Sequence, residues 1–274
     1  MSIFKPVTVV TGASAGIGRA LAKVFAANQH EVALVARREG ELDSLAREIV
    51  AAGGRAHAIP VDLSRADAPA RISHELLGRG LEPAVVVNNA GFGLWGPSYE
   101  LDRGEQLAMI ELNVRTLTDM SLRWVDTLAR HRGGILNVAS VAAFVPGPNM
   151  AVYYATKAYV LSFSEALHRE LMSKDVRVTV LCPGPVKTEF QARAGMSDGM
   201  ARGFLALSAE QVAEAGYQGF AAGKRVVIPG FGNKLAAFLP RLVPRSLVLT
   251  ATKKFQKRAA PKPEGWPRRS QQKA

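Results

Sequence analysis

The sequence predicts an α/β fold: a doubly wound parallel sheet of seven strands, followed by an amphipathic helical extension. Three observations carry this. Short apolar, β-branched runs alternate with helical patterns seven times along the 274 residues, which a right-handed parallel arrangement explains. The first run stops at a glycine cluster that opens a helix. After residue 230 the chain changes character, mixing apolar residues with prolines and basic side chains. Residues 1–230 are therefore expected to form one α/β domain, and 231–274 a basic helical extension partly disordered at its end.

Composition narrows the possibilities. Apolar residues make up 48% of the chain, enough to bury a core and to exclude wholesale disorder. The length suits one sizeable domain rather than two. The first residues lack a signal-peptide core, and the long charge-free run at 133–156 is broken by Pro146, Gly147 and Pro148, which excludes a spanning helix there. A lone cysteine, Cys182, follows an apolar run and is expected to be buried and inert; it fits a reducing cytoplasm. Net charge is +12, but after residue 250 eight basic residues face Glu264 alone. The body is thus mildly basic and carries a basic tail, not a specific nucleic-acid footprint.

The first strand, residues 7–10, runs into Thr-Gly-Ala-Ser-Ala-Gly-Ile-Gly at 11–18. Glycines at 12, 16 and 18 permit a tight turn, and the N–H groups of the following helix would face a pyrophosphate. Tight packing is the competing explanation for such a turn; the strand before it and the helix after it favour phosphate. The second strand, 31–36, ends in Ala36, Arg37 and Arg38. An NAD site commonly puts a carboxylate here on the ribose 2′-hydroxyl. Alanine followed by two arginines suits a 2′-phosphate instead, so NADP is expected ahead of NAD.

A helix with a Leu42, Leu45 and Ile49 stripe leads to a third strand at 55–61. Asp62 at its end is either a ligand contact on the carboxyl edge of the sheet or a cap for the next helix. The fourth strand, 84–87, runs into Asn88, Asn89, Ala90 and Gly91, where amides can bridge strand ends and small residues leave room for a ring. One long helix is expected over 102–130, with Leu107, Ile110, Val114, Leu117, Trp124 and Leu128 on one face. Asn113 inside it is a mediocre helix former, hence either an exposed neutral choice or a functional one.

The fifth strand ends at Ser140. Tyr153 and Lys157, four apart on the next helix, share a face. A phenol ionises near ~10, and an ammonium beside it favours phenolate, as a general acid/base requires. Tyr154 is also within helical reach of Lys157, so spacing alone does not choose the tyrosine. Where the chain doubles back, the Ser140 hydroxyl could polarise the carbonyl oxygen that Tyr153 protonates. A sixth strand, 176–181, precedes Cys182, Pro183, Gly184, Pro185, Val186, Lys187 and Thr188. Residues 189–207 suggest a mobile, partly helical lid, before a helix at 209–222 and a short strand at 225–229. In the extension, Pro240 and Pro244 break the helix, and Lys234, Arg241 and Arg245 interleave with Leu235, Phe238 and Leu242. Such a segment packs on the cleft, on a partner subunit, or on an anionic membrane surface.

Taken together these motifs resemble the short-chain dehydrogenase/reductase family, over residues 11–188, about two-thirds of the chain. The matching pieces are the Thr-Gly-x-x-x-Gly-Ile-Gly turn, Asn88 to Gly91, Asn113, Ser140, the Tyr153 and Lys157 pair, and Pro183-Gly-x-Val-x-Thr188. The family pattern Tyr-x-Ala-Ser/Thr-Lys selects Tyr153 over Tyr154. The resemblance implies a Rossmann-like fold with Tyr153 as proton donor or acceptor and Ser140 stabilising the carbonyl oxygen. It implies that Lys157 lowers the tyrosine pKa and binds the nicotinamide ribose, and that Asn113 holds a relay water. Gly12, Ser14, Gly16, Ile17 and Gly18 would contact the phosphates and adenosine ribose, and Asp62 and Leu63 the adenine. Asn89, Ala90 and Gly91 would line the ribose pocket, and Pro183, Gly184, Val186 and Thr188 would hold the nicotinamide. One departure is Ala15, where some NADP-dependent members carry a basic residue, so the NADP expectation rests on Arg37 and Arg38. The family also forms dimers or tetramers through its long helices, here with Trp124 and Leu128 as candidate contacts.

The expected function is an NADP-linked oxidoreductase acting on a carbonyl or secondary alcohol in the cytoplasm, in a homodimer or homotetramer, with peripheral membrane contact through the extension. No metal is expected. Phe92, Leu94, Trp95, Phe144, Val145, Met150, Phe190, Met196, Met200 and Phe204 suggest an apolar, lipid-like ketone of 3-oxoacyl or sterol type. A small 3-hydroxy acid is the alternative, with Arg193 or Arg202 as its anchor. A non-catalytic NADP-binding regulator is a further one. Phe255 and Trp266 beside lysines could stack on nucleic-acid bases.

Overall fold

The computed structural model describes residues 4–197 and 205–256. Seven strands form one sheet, β1 (Lys5–Thr11), β2 (Glu31–Ala36), β3 (Arg55–Pro60), β4 (Leu81–Asn88), β5 (Gly134–Val138), β6 (Arg177–Leu181) and β7 (Val226–Val227). Their order is β3-β2-β1-β4-β5-β6-β7, and every pairing is parallel. The chain works outward from β1 to one edge, then returns and works outward from β4 to the other. β1 and β4 are therefore neighbours whose following loops leave in opposite directions, which opens a crevice at their carboxyl ends.

The strands read as continuous apolar runs because both faces are covered. Alternate residues go to opposite layers, as the two-residue period of a strand requires. Val10, Leu34, Val87 and Leu136 meet helices α1 (Gly16–Ala27), α2 (Glu39–Ala51) and, further along the chain, the helix at Ala209–Ala221, through Leu21, Phe25, Leu45 and Phe220. Val9, Val35, Val86 and Ile135 meet the other layer through Ile72 and Leu76 of α3 (Ala68–Gly78), with Met120, Trp124 and Leu167.

The helix expected as one piece over 102–130 is four. Asp102 caps α4 (Arg103–Ile110) by accepting from Glu105 N–H at 2.8 Å. A π-helical segment follows at Glu111–Thr116, then α5 (Leu117–Arg123) and α6 (Val125–Arg130), with a break at Trp124. Such π segments arise where a side chain must be re-aimed, often beside a functional site; Asn113 lies within this one. Trp124 and Leu128, considered as subunit contacts, are instead in the intrachain core, and the Trp124 indole N–H donates to Ser73 Oγ at 3.0 Å.

A 3₁₀ turn (Val141–Phe144) leads to α7 (Ala151–Leu171), the helix of Tyr153 and Lys157. Of the expected lid, α8 (Glu189–Ala194) is helical and starts from a Thr188–Gln191 capping box; Met200, Arg202 and Phe204 lie outside the described residues. The helix at Ala209–Ala221 is α9. β7 is shorter than expected, since Pro229 and Gly230 end it. The extension forms α10 (Phe231–Phe238), a 3₁₀ turn at Leu239–Leu242 and α11 (Arg245–Gln256), the breaks falling at Pro240 and Pro244. Ala237, Val248 and Gln256 of the extension are buried. Trp266 lies outside the described residues, as does the Phe255 side chain.

Candidate active site

At the crevice, one hydroxyl joins the two strand ends. Thr11 Oγ1 donates to the Val87 carbonyl at 3.1 Å and accepts from the Asn89 and Ala90 N–H groups at 2.9 and 3.0 Å. Asn89 Nδ2 returns a bond to the Thr11 carbonyl at 2.9 Å. The glycine turn follows. Gly12 and Gly16 have φ of +64° and +54°, a region costly for any side chain. A Cβ on Gly18 would collide with the Gly12 carbonyl oxygen. The start of α1 has no side-chain cap and no acidic residue in its first turn, so its N–H groups are left to a ligand, the arrangement that favours a phosphate.

A cavity of about 1480 Å³ runs from this turn, past the ends of β4 and β5, to α7 and the extension. Gly12, Ser14, Gly16 and Ile17 line its first part, with Arg37, Arg38, Asp62 and Leu63. Asn89, Ala90 and Gly91 follow, then Ser140, Tyr153 and Lys157, with Pro183, Gly184, Val186 and Thr188 opposite. A groove of this shape and size fits a dinucleotide with room beyond it. Gly18 and Asn113 are not on the cavity wall: Gly18 serves close packing against Gly12.

Arg38 lies across the groove. Its guanidinium donates to Ser14 Oγ at 3.1 Å and pairs with Glu189 Oε2 of α8 at 2.9 Å. Asp62 does not cap α3, whose N-cap is Asp67. Its Oδ1 accepts from Ser64 N–H and Oγ at 3.0 and 2.8 Å. Partial burial opposes ionisation of Asp62, but the Ser64 bonds and the Arg37 charge outweigh it and hold the carboxyl below its ordinary range.

The reactive end is desolvated. Burial pushes the Tyr153 phenol well above its ordinary value, against a hydrogen bond with Ser140 that favours phenolate. Lys157 Nζ stands 5.8 Å from the Tyr153 ring centroid and donates to the Val138 carbonyl at 2.9 Å. Its own burial brings the ammonium down to about 8. The pull of Lys157 on the phenol, expected to dominate, is therefore smaller than the effect of burial on both groups. Ser140 Oγ accepts from Ala142 N–H at 3.1 Å. Cys182, as expected, is buried and free, and burial raises its thiol to about 12.

Asn113 sits behind this centre. Its Nδ2 donates to the Phe92 carbonyl at 2.9 Å and to Thr156 Oγ1 at 3.1 Å, while Oδ1 accepts from Phe92 N–H at 3.1 Å. The side chain thus spends both donors tying the loop after β4 to α7. Tyr154 also lines the cavity, but its hydroxyl accepts from Gln256 Nε2 at 2.5 Å, which separates the two tyrosines that spacing could not.

A family model described as short chain dehydrogenase matches residues 6–198. The chain belongs to the short-chain dehydrogenase/reductase family. It is an NAD(P)-dependent oxidoreductase. Sulfoacetaldehyde reductase 2 of Chromohalobacter salexigens is 35% identical over 76% of this chain and 85% of its own. A very-long-chain 3-oxoacyl-CoA reductase of Anas platyrhynchos is 38% identical over 66% of this chain. The chain spans 60% of the length of that relative, and 60% of a fungal short chain dehydrogenase it also matches. Among solved structures, a short-chain dehydrogenase from Sphingobium yanoikuyae in complex with NADPH superposes with a TM-score of 0.76 at 29% identity, covering 87% of this chain and 94% of its own.

Of the residues expected around the cleft, Phe92, Val145, Met150, Phe190 and Met196 line it. Trp95 packs behind Met150 and Tyr154, and Phe144 lies under Arg241 with the cation 5.9 Å from its ring. Two participants were not anticipated from the sequence. Glu189, an exposed acid in a lid, carries no pattern that pairs it with Arg38. Gln256 had a signal: Val248, Thr252 and Gln256 recur every four residues along α11, the stripe that faces the cavity.

Lys157 gives this site a pH signature. The folded ammonium releases its proton near 8, whereas the unfolded one holds it to ~10.4. Between these values the unfolded chain binds more protons, so the Lys157 contribution to stability rises with pH. Cys182 acts in the opposite sense above ~8.5, and more strongly in a Lys157→Met variant, where the ammonium no longer lowers its thiol. Urea denaturation at about pH 7 and pH 10 should therefore show the wild type gaining about 2 kcal/mol relative to Lys157→Met. A pH-independent difference would mean that Lys157 is not desolvated.

Proposed function

We propose that the protein is an NADP-linked reductase of apolar, lipid-like ketones, with Tyr153 as the proton donor. The observation that carries this reading is the cavity at Tyr153, walled by Phe92, Val145, Met150 and Phe190, in which the half-buried phenol stands protonated, the form that reduction of a carbonyl consumes. Bound NADPH supplies the hydride. Ser140 donates a hydrogen bond to the carbonyl oxygen as it gains charge. Lys157, held by Val138, stands beside the phenol and would hold the nicotinamide ribose. Asn113 keeps Phe92 and Thr156 in place and acts as a positioning residue. The N–H groups of the α1 first turn would hold the pyrophosphate, and Arg37 and Arg38 the 2′-phosphate, for which Arg38 would exchange its Glu189 partner. That exchange is cheap, since exposed ion pairs contribute about 0–1 kcal/mol.

An apolar substrate is favoured over a small hydroxy acid by the wall of Phe92, Val145, Met150, Phe190 and Met196. The candidate anchor Arg193 lies 5.0 Å from the Phe92 ring centroid and 3.5 Å from Glu105 Oε1, an exposed pairing it can exchange as Arg38 does. The relatives divide between the two chemistries, a sulfoacetaldehyde reductase and a 3-oxoacyl-CoA reductase.

We further propose a homodimer or homotetramer formed through α4, α5 and α7, where Leu107, Ile110, Leu122 and Tyr159 are exposed. The outer side of the extension also carries exposed Phe231, Phe238, Leu242 and Leu247. Residues 231–256 hold five basic side chains and no acidic one, which suits peripheral contact with an anionic bilayer at the cytoplasmic face. No helix among the described residues is long and apolar enough to cross a membrane.

Three experiments test these readings. Tyr153→Phe should lower NADPH-dependent ketone reduction by about 10²–10⁴-fold; unchanged turnover would remove Tyr153 as the acid. Arg38→Ala should reduce the preference for NADPH over NADH by about tenfold, through loss of one charge-assisted contact, and an unaltered preference would refute the 2′-phosphate assignment. Sedimentation of the protein alone and with vesicles should give a mass of two or four chains, and binding to phosphatidylserine vesicles that salt weakens. A monomer, or binding insensitive to salt, would overturn the corresponding proposal.

A further inference from the structure

The far end of the chamber carries a polar group that the proton chemistry does not use. Gln256 ends α11 and is fully buried, at 0% exposure. Its Nε2 faces two acceptors, Tyr154 Oη at 2.5 Å and Met150 Sδ at 3.8 Å. Among the described residues its Oε1 is buried without a hydrogen-bond partner, and the residue lines the cavity. Tyr154 Oη can accept or donate, but Met150 Sδ only accepts, which places the NH₂ at that end and leaves the oxygen as the free end. A buried acceptor left unpaired costs about 1–3 kcal/mol, so native structures seldom keep one without a use. Met150 touches the carboxamide, Val145, Leu247, Val248 and Ala251 line the same cavity, and Thr252, one turn before Gln256, spends its hydroxyl on the Val248 carbonyl.

The position relative to the reactive centre follows from the rings. Tyr153 and Tyr154 stand edge to face with centroids 6.1 Å apart, and Gln256 is bonded to the hydroxyl of the second. A substrate carbonyl at Tyr153 is therefore separated from Gln256 by a stretch of apolar wall. Gln256 also lies outside the matched family segment, which ends at residue 198.

We infer that Gln256, held by Tyr154, forms a distal subsite that accepts a hydrogen bond from a hydroxyl on the apolar ketone, remote from its reacting carbonyl. The inference rests on the apolar-ketone reading above and adds to it a second point of recognition. A site with a buried acceptor rejects an analogue lacking the donor more strongly than an apolar wall rejects a missing methylene. The hydroxyl thus sets specificity, and its distance from the carbonyl is fixed by the chamber.

The test uses the full chain saturated with NADP⁺, where ketones bind without being reduced. Methyl alkyl ketones of increasing chain length are compared in three forms, with a terminal hydroxyl, a terminal methoxy group, or a plain methyl end, and Kd is read by calorimetry. The hydroxyl form should bind about tenfold tighter than the plain form at one preferred length. The methoxy form, which cannot donate, should show no such gain. In Gln256→Met, which keeps side-chain length without the carboxamide, the gain should disappear. Because the gain is a ratio within one protein sample, partial misfolding of the variant cancels, and the wild-type length profile stands alone if the variant is lost. A flat profile in the wild type, as expected if solvent alone pairs Oε1, overturns the subsite. An equal gain for methoxy, or a gain that survives Gln256→Met, does so too. Parallel assays with NADPH separate the two proposals: a peaked binding profile without turnover of any ketone sinks the reductase reading and leaves the subsite standing.

Discussion

The site depends on one constraint, the close fastening of β1 to β4 at their carboxyl ends. Parallel strands bring all their carboxyl ends to one side of a sheet, but only at the switch in strand order do the connecting loops diverge and leave a crevice. Thr11 Oγ1 spans that point with three hydrogen bonds. It thereby sets the distance between the glycine turn and the Asn89–Gly91 segment. Gly12 and Gly18 then fit only because neither carries a side chain. The same fastening positions Phe92, to which Asn113 ties α7, and α7 carries Tyr153 and Lys157. Loss of the Thr11 hydroxyl would leave buried N–H groups of the following loop unpaired, at about 1–3 kcal/mol each.

The electrostatics of the reactive end follow from dryness more than from pairing. Lys157 is buried and Tyr153 half-buried, and desolvation opposes the charged form of each: the phenol is harder to ionise and the ammonium easier to neutralise. The two shifts move the proton affinities apart, the phenol's up and the ammonium's down, which disfavours a resting phenolate. They instead keep a neutral phenol beside a lysine whose charge is adjustable near neutral pH. Within the site the Ser140 hydrogen bond is the pull towards phenolate, and desolvation outweighs it.

Much of this was legible in the sequence because it is local. Period-two apolar runs, the strand–glycine–helix transition and the four-residue spacing of Tyr153 and Lys157 each depend on a few adjacent residues, and the family pattern fixed their order. What was not legible is what distant segments do to one another. The π segment at Asn113 is invisible to an apolar stripe that runs unbroken from Leu107 to Leu128, because the extra residue per turn is imposed by the Phe92 and Thr156 contacts. Trp124 shares an apolar stripe with Leu107 and Ile110, which left a subunit face and an intrachain core both open; Leu107 and Ile110 are exposed, while Trp124 packs in the core beside Ser73. Arg38 was recognisable as a cation at the end of β2, but its partner lies 151 residues away. Gln256 is further still in meaning: it ends a segment that composition marks as a basic appendage, and it is as buried as any core residue.

The π segment carries a consequence of its own. A helix that must accommodate an additional residue in one turn cannot slide past its neighbours a step at a time, because the widened turn fits only opposite the groups that cause it. Asn113 therefore acts as a key in a keyway, locking the axial register of the α4–α5 column against α7. Insertions or deletions on either side of it would be absorbed in the flanking turns, near Ser98 or Arg132, while the alignment of Phe92 with Tyr153 survives. The architecture thus separates what can drift from what cannot, with the boundary drawn by a single amide.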